Sequence, residues 1–365
     1  MTTNSNLKVG VIGAGTVGQM HIKYWQKVTG ITIQALAELR PELSRLVCQN
    51  FSIPQYYSSH HELLKCTDVD AVVVVTHRNH TAAVVYDCLR AKKNVFSEKP
   101  MAKTLDQAKT LVDLANEKKV KYRIGFQRRH DEGVQLARQK MDELRDSREL
   151  GELVSVNSWD FTGKDRILNA PEYVLTSEER PAGIKPWPQT PEWLPPALSH
   201  NYDRFVNVFS HDINLLRYFF GNMVGVKQAS LNELYRQNFV LDFGKFEAIF
   251  QGSFNELKPW ELRGEWDEGM EIHFEKGILS LKLSPPLMHD SCSKVELKDK
   301  NGATKILHDG IPRAPTFQVQ AAAFLVEVFC NQDPIRADAL SASSTSTEDL
   351  CIIEEIWKKH LNISS

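Results

Sequence analysis

Closely spaced cysteine pairs are missing from this sequence. Its six cysteines, Cys48, Cys66, Cys88, Cys292, Cys330 and Cys351, are scattered, with no C-x-x-C. That argues against a zinc site and against a dense disulfide framework. Free thiols in apolar settings are the expectation instead. Long apolar runs are also missing; the densest, Ala71–Val75, is far too short to span a bilayer. Met1–Asn6 is short and polar, with no basic segment leading into an apolar core, so no signal peptide is expected. Neither sign of charge dominates. The 44 Lys and Arg residues offset 46 Asp and Glu, for a net charge of −2, and the two signs are interspersed. A nucleic-acid footprint or a polybasic membrane anchor would look different. The expectation is a cytoplasmic protein with no nucleic-acid or membrane partner. There is no internal repeat, and biased composition is confined to the Ser/Thr stretch Ser341–Thr347.

What is present begins at residue 7. Val9, Val11 and Ile12 form an apolar, β-branched run that reads as a buried strand. Gly13, Gly15 and Gly18 follow in the spacing G-x-G-x-x-G, with Thr16 and Val17 between the last two. A helical pattern (Met20, Ile22, Tyr24, Trp25) starts at once. The first glycine of such a turn permits a tight bend, the second lets backbone approach a pyrophosphate, and the third lets helix and strand pack closely. The N–H groups at the helix start then favour an anion. An acidic residue, Glu38, comes about twenty residues on, after the apolar run Ile31–Ala37, where a ribose-binding carboxylate belongs.

Residues 7–125 alternate strand and helix patterns, which predicts a doubly wound parallel sheet with its ligand at the C-terminal strand ends. Strands are expected at Thr32–Ala37, Ala71–Val75, Asn94–Ser97 and Tyr122–Phe126. Helices are expected from Pro41, over residues 60–66, His80–Lys92 and Thr104–Lys118, and then around Asp131–Leu144. From Gly151 the pattern changes. Residues 165–200 are rich in proline and carry Trp187 and Trp193. A helix is expected over Phe205–Phe220. Successive strands then follow at Val224–Asn232, Phe239–Phe243, Phe246–Asn255, Trp260–Trp266, Met270–Glu275, Gly277–Leu283 and Lys294–Lys298. These predict a large, open, mostly antiparallel sheet of about six strands, flanked by helices that include Phe317–Cys330 and Asp349–His360. The expected domains are 1–127 (Rossmann, dinucleotide-binding), 128–340 (α+β, substrate-binding and oligomerisation) and 341–365 (a helix packing back on the body).

This order, with the motifs Val9–Gly18, Thr76–Met101, Gly125–Arg129 and Phe205–Gly221, resembles the glucose–fructose oxidoreductase / inositol dehydrogenase / rhizopine-catabolism (Gfo/Idh/MocA) family of NAD(P)-dependent oxidoreductases. The resemblance implies roles residue by residue. Glu98-Lys99-Pro100 looks like the family's Glu-Lys-Pro signature, whose lysine contacts substrate and the nicotinamide end of the cofactor. An ammonium there can donate to the oxygen that gains or loses a proton as hydride moves. Thr76, Asn79 and His80 lie where the family's nicotinamide-side loop stands, although His77 replaces its proline and the spacing is compressed. His211 matches the family's helical histidine, and Asn207 stands four residues before it where an aspartate is usual. Asparagine can hydrogen-bond a hydroxyl but cannot accept its proton. Acid/base work would then fall on Lys99 and His211. Arg128 or Arg129 would face cofactor or substrate, the other making a structural ion pair. Tyr202, Arg204, Trp187 and Trp193 could form a sugar platform, or the tryptophans could simply pack their loop.

Glu38 favours NAD, since a carboxylate binds both ribose hydroxyls and repels a 2′-phosphate; Arg40 could instead clamp that phosphate, so NADP is possible. The expected activity is hydride transfer between nicotinamide and a carbinol or keto carbon of a sugar, sugar derivative or cyclic polyol. Two rivals are an NAD-dependent glycoside-cleaving enzyme working by transient oxidation and elimination, and a non-catalytic dinucleotide-binding regulator. The expected partners are a small carbohydrate-like substrate and further copies of the chain, in a homodimer or homotetramer through the C-terminal sheet. No metal is expected.

Overall fold

Six short strands form a wholly parallel sheet: β1 (Leu7–Ile12), β2 (Ile31–Ala37), β3 (Gln55–Tyr57), β4 (Ala71–Val74), β5 (Asn94–Glu98) and β6 (Tyr122–Gly125). Their order is β3–β2–β1–β4–β5–β6. The order reverses between β1 and β4, which is where a doubly wound sheet opens a crevice at its C-terminal edge. The structure, a computed structural model, describes residues 6–163, 172–233, 235–254, 266–288, 291–330 and 343–363. Residues 260–265 of the expected strand Trp260–Trp266, residues 165–171 of the proline-rich stretch and residues 341–342 lie outside the described residues.

Helices α1 (Thr16–Trp25), α2 (Pro41–Phe51), α3 (His60–Leu63), α4 (Arg78–Arg90) and α5 (Leu105–Lys118) connect these strands. Pro41 begins α2, where its missing N–H is no loss. Thr104 caps α5 by accepting from the Gln107 N–H at 3.3 Å. The core is apolar and aromatic. Trp25 is fully buried and meets Phe96 edge-on at 5.2 Å and Phe324 at 5.7 Å. Phe324 comes from α8 (Thr316–Cys330), so a late helix completes the first core.

The second sheet has eight strands: β7 (Leu153–Phe161), β8 (Gly225–Leu231), β9 (Gln237–Asp242), β10 (Glu247–Ser253), β11 (Asp267–Phe274), β12 (Gly277–Lys282), β13 (Lys294–Lys298) and β14 (Thr304–His308). Their order is β14–β13–β12–β11–β7–β10–β9–β8, antiparallel except for the β10–β7 pair. Eight replaces the expected count of about six. Edge strand β14 is largely exposed and has no apolar alternation to betray it. β9 and β10 do alternate, placing Phe239, Leu241, Ala248 and Phe250 inward. Helix α6 (Glu132–Ser147) precedes this sheet, and α7 (Ser199–Phe220) sets Phe209 edge-on to Phe250 at 5.3 Å. The last helix is α9 (Ser343–Leu361).

α7 begins six residues earlier than the Phe205 start read from sequence. Tyr202, Phe205, Val206 and Phe209 form one buried stripe at helical spacing, and the prolines before Ser199 obscure its beginning. The chain divides into two compact units: Met1–Phe126, Leu168–Asn207 and Phe317–Leu350; then Gln127–Ile167, Val208–Thr316 and Cys351–Ser365. Cys48, Cys66, Cys88, Cys292 and Cys351 are free thiols. Among the described residues, no helix is long and apolar enough to cross a membrane.

Candidate active site

The glycine-rich turn sits between β1 and α1, and its three glycines do different work. Gly13 has φ +103°, and a Cβ there would lie 2.4 Å from the Val75 carbonyl oxygen. A Cβ on Gly18 would lie 2.2 Å from the Gly13 carbonyl oxygen. Both positions are therefore glycine for the sake of the fold. Gly15 has φ −61°, and a Cβ there would meet nothing within 4 Å. It stands at the start of α1, followed by Thr16 and Val17, and faces open space. Backbone N–H groups at a helix start beside such a gap suit an anion.

That space belongs to a cavity of ≈ 330 Å³ lined by Gly13, Gly15, Glu38, Arg40, Thr76 and His80. Glu38 ends the run from β2 and is 8% exposed. Its carboxylate accepts from the Ala14 N–H at 2.8 Å, tying it to the glycine turn, and from Arg40 Nε at 2.9 Å. Burial pushes its pKa up, but the Arg40 guanidinium and the Ala14 N–H outweigh it and hold the carboxyl below its ordinary value. A charged carboxylate thus stands ready for ribose hydroxyls, with a guanidinium on the same group. The residues fit a dinucleotide, because the glycine that the fold does not need lines the same cavity as this carboxylate.

Arg180–Ile184 also line this cavity. They belong to a strap, residues 172–184, fastened across the same unit. Gln19 is fully buried and makes a reciprocal pair with Val174: Gln19 Nε2 donates to the Val174 carbonyl at 2.9 Å, and the Val174 N–H donates to Gln19 Oε1 at 2.8 Å. Gln19 Nε2 also donates to the Ala14 carbonyl, so the strap is tied to the glycine turn. Farther on, the Glu178 carboxylate accepts the Glu42 and Leu43 N–H groups at the start of α2. Gln19→Ala removes the reciprocal pair. It is expected to speed NADH release about tenfold, since two buried hydrogen bonds hold the strap closed. Stopped-flow displacement of bound NADH checks this; an unchanged rate would mean that the strap does not retain the cofactor.

Lys99 follows β5. Its ammonium donates to the Asn207 carbonyl at 2.7 Å, with Asn207 Oδ1 at 3.5 Å. Glu98 is tied to the same place by accepting the Lys99 N–H at 3.1 Å. Asn79 lies in the first turn of α4 and its carbonyl accepts from Gln189 at 3.3 Å. One sequence expectation needs correction here. Tyr202 is fully buried and its hydroxyl donates to the Lys103 carbonyl at 3.0 Å, so it holds the 99–104 turn and offers no platform face. Trp187 is half-buried and meets Tyr86 of α4 edge-on at 5.4 Å. Four partners were missed altogether. Asp203 of α7 accepts from Arg78 Nη2 at 2.6 Å and pairs with buried Lys103, and His21 holds Glu98. Only contacts distant in sequence join them, so no local motif signals them.

Arg128, Arg129 and His211 belong to the second unit. Arg128 is 5% exposed, pairs with Glu268 and donates to the Ser284 carbonyl. Arg129 is fully buried and donates to Asn214. Arg128 is therefore corrected from a substrate contact to a buried ion-pair partner. His211 lies one turn beyond Asn207 on α7. Asp212 beside it is interior to that helix and is buried with Asp160 and Glu268, their carboxylate oxygens within 4.8 Å of one another. Burial and mutual repulsion raise the pKa of Asp160 and Asp212, and burial raises that of Glu268 against the opposing Arg128 charge. The folded state therefore binds protons that the unfolded chain releases. Its stability is gained as pH falls and lost as pH rises through the folded values. Asp160→Asn is expected to melt higher than the parent at neutral pH, with the gap closing as pH falls towards the unfolded carboxylate value of about 4. Thermal melts over a pH series check this.

Comparison with known proteins agrees with the geometry. The family profile described as "Oxidoreductase family, NAD-binding Rossmann fold" matches residues 7–126. The inositol 2-dehydrogenase/D-chiro-inositol 3-dehydrogenase of Lacticaseibacillus casei is 37% identical over 140 residues, which is 37% of this chain and 40% of that enzyme. Matches to the first inositol dehydrogenases span only between 40% and 56% of their lengths. Two solved structures share the fold. The aldose-aldose oxidoreductase from Caulobacter crescentus complexed with glycerol is 17% identical, with a TM-score of 0.74 and 98% of each chain covered. Levoglucosan dehydrogenase in complex with NADH and levoglucosan is 16% identical, with a TM-score of 0.72, covering 99% of this chain and 98% of that one. The profile thus covers the glycine-rich unit, residues 7–126, which carries the NAD-binding Rossmann fold of that oxidoreductase family, while the likeness of fold extends over the whole chain.

Proposed function

We propose that the protein is an NAD(P)-dependent oxidoreductase acting on a CH–OH group of a sugar, sugar derivative or cyclic polyol. The observation that carries this reading is Gly15. It faces the cavity that Glu38 also lines, so a phosphate-binding turn and a ribose-binding carboxylate share one space. When bound, the dinucleotide supplies a nicotinamide carbon that takes or gives hydride. The chain supplies the rest. Gly13, Gly15, Thr16, Val17 and Gly18 cradle the pyrophosphate, and Glu38 binds the adenosine ribose. Arg40 already partners Glu38, which favours NAD while leaving NADP open. Thr76, Asn79, His80, Glu98 and Lys99 line the nicotinamide end. Lys99 donates to the reacting oxygen and moves its proton, His211 shares that task, and Asn207 orients the hydroxyl. The named substrates of relatives, inositols and levoglucosan, support a polyol or sugar and do not choose between them.

We assign cofactor binding to residues 1–127, substrate binding and oligomerisation to 128–340, and a closing role to 341–365. The eight-stranded sheet carries exposed apolar side chains, Val154, Ile249 and Ile306, which support self-association into a dimer or tetramer. The direct test incubates the protein with NAD and separately NADP against inositols, aldoses, anhydrosugars and aryl glycosides, following reduced cofactor and released aglycone together. Cofactor reduction on a polyol or sugar supports the reading. Aglycone release without net reduction, or tight cofactor binding without turnover across the panel, would overturn it.

A further inference from the structure

His21 is a titratable group that the proposed chemistry does not use, yet it is among the most enclosed side chains in the first unit. It lies on α1, one turn beyond the glycine-rich loop, and is fully buried. Its ring sits in an aromatic box: Phe317 edge-on at 5.0 Å, Phe96 at 5.6 Å and Trp25 at 6.5 Å. Nδ1 has no hydrogen-bond partner among the described residues. A side chain kept for packing alone would be less costly as phenylalanine, because burying an imidazole leaves polar nitrogen to satisfy. The polar contact it does make is short and specific. His21 Nε2 donates to Glu98 Oε1 at 2.7 Å.

The other Glu98 oxygen, Oε2, accepts the Lys99 N–H at 3.1 Å. Glu98 thus links a buried donor on α1 to the backbone of the lysine. Its neighbour across the sheet leaves room for this. Gly125 pairs with Glu98 in the β5–β6 register, and a Cβ there would lie 3.3 Å from Glu98 Oε1 and 2.9 Å from the Phe96 ring. Lys99 is consequently fixed at both ends, at its backbone through Glu98 and at its ammonium through Asn207. We infer that His21 is a positioning residue: through Glu98 it sets the backbone of Lys99 and so the direction in which the ammonium points. The consequence for turnover rests on the hydride-transfer reading; the geometric claim does not.

The test uses His21→Phe, which fills the aromatic box but removes the donor, and His21→Gln, which restores a donor. The first readout needs no substrate: the rate at which trace acetic anhydride acetylates Lys99 in the full chain, read by mass spectrometry. His21→Phe is expected to change that rate at least about threefold, and His21→Gln to bring it back towards the parent, since a single buried hydrogen bond is worth about that factor or more. The second readout is kinetic. kcat should fall about 10- to 100-fold in His21→Phe with KM little changed, as for a reacting group displaced within an intact site. A merely structural histidine would lower the melting temperature but leave Lys99 labelling unchanged in the folded fraction. If His21→Phe does not fold, Glu98→Met breaks the same link from the other side and must change the labelling alike. Folded variants with parental Lys99 labelling overturn the inference. A parent that turns over nothing overturns the hydride-transfer reading instead, and the labelling still decides the role of His21.

Discussion

Alanine at position 99 is expected to lower kcat about 10³-fold while leaving NADH affinity within about threefold of the parent. The asymmetry follows from where the lysine stands. The pyrophosphate and ribose contacts proposed above centre on Gly13, Gly15 and Glu38, which line a cavity whose lining does not include Lys99. Lys99 instead follows β5, with its ammonium held 2.7 Å from the Asn207 carbonyl. As hydride leaves a carbinol carbon, the hydroxyl must lose its proton. An ammonium beside that oxygen stabilises the developing negative charge and mediates the transfer. Lys99→Arg keeps the charge but replaces a compact, rotatable donor with a planar fork, so it should recover only a small part of the rate. Steady-state kinetics on the best substrate of the panel, with a fluorescence titration of NADH, separate the two effects. If Lys99→Ala kept kcat within about tenfold of the parent, the lysine would be a structural tie to Asn207, and the acid/base role would pass to His211.

The first unit was legible because its signals are local. β1, the glycine turn and α1 follow one another within twenty residues, and each has its own reason in residue type. The parallel sheet could be read from apolar runs alone because such strands are buried on both faces. β3 and β14 could not, since a three-residue strand has no period and an exposed edge has no alternation. The site divides the same way. Gly15, Glu38 and Lys99 stand in motifs. Gln19, His21 and Asp203 act through partners up to 155 residues away and leave no pattern in sequence. Arg128 and Tyr202 erred in the opposite direction. Their residue types suit a ligand site, but ion pairing with Glu268 and a hydrogen bond to the Lys103 carbonyl take them into the interior. Residue type reveals what a side chain is able to do; burial decides whether a ligand ever meets it.

Gly15→Asp is expected to leave the cofactor-free fold as stable as the parent, or slightly more so, and to weaken NADH binding at least 100-fold. The two halves of this expectation have separate causes. Gly15 has φ −61° and ψ 176°, an extended backbone open to any residue, and its Cβ direction is empty out to 4 Å. It is also the N-cap of α1, whose side-chain cap is missing. Aspartate is a preferred N-cap, accepting a backbone N–H and complementing the helix dipole, and the gain over glycine is a few tenths of a kcal/mol. Those same N–H groups are the ones a pyrophosphate needs. An aspartate there occupies the anion's place and repels what remains of it, and a loss of about 3 kcal/mol corresponds to the expected factor. Gly13→Ala and Gly18→Ala make the contrast, because each forces a Cβ within 2.4 Å of a carbonyl oxygen and should unfold the unit first. Melting curves without cofactor and NADH titrations on the three variants distinguish the cases. Parental NADH binding by a well-folded Gly15→Asp would overturn the dinucleotide site itself, because no other glycine of the turn is reserved for a ligand. A loss of binding with an intact fold would tie the cavity to the pyrophosphate through the one position of the turn whose identity folding leaves open.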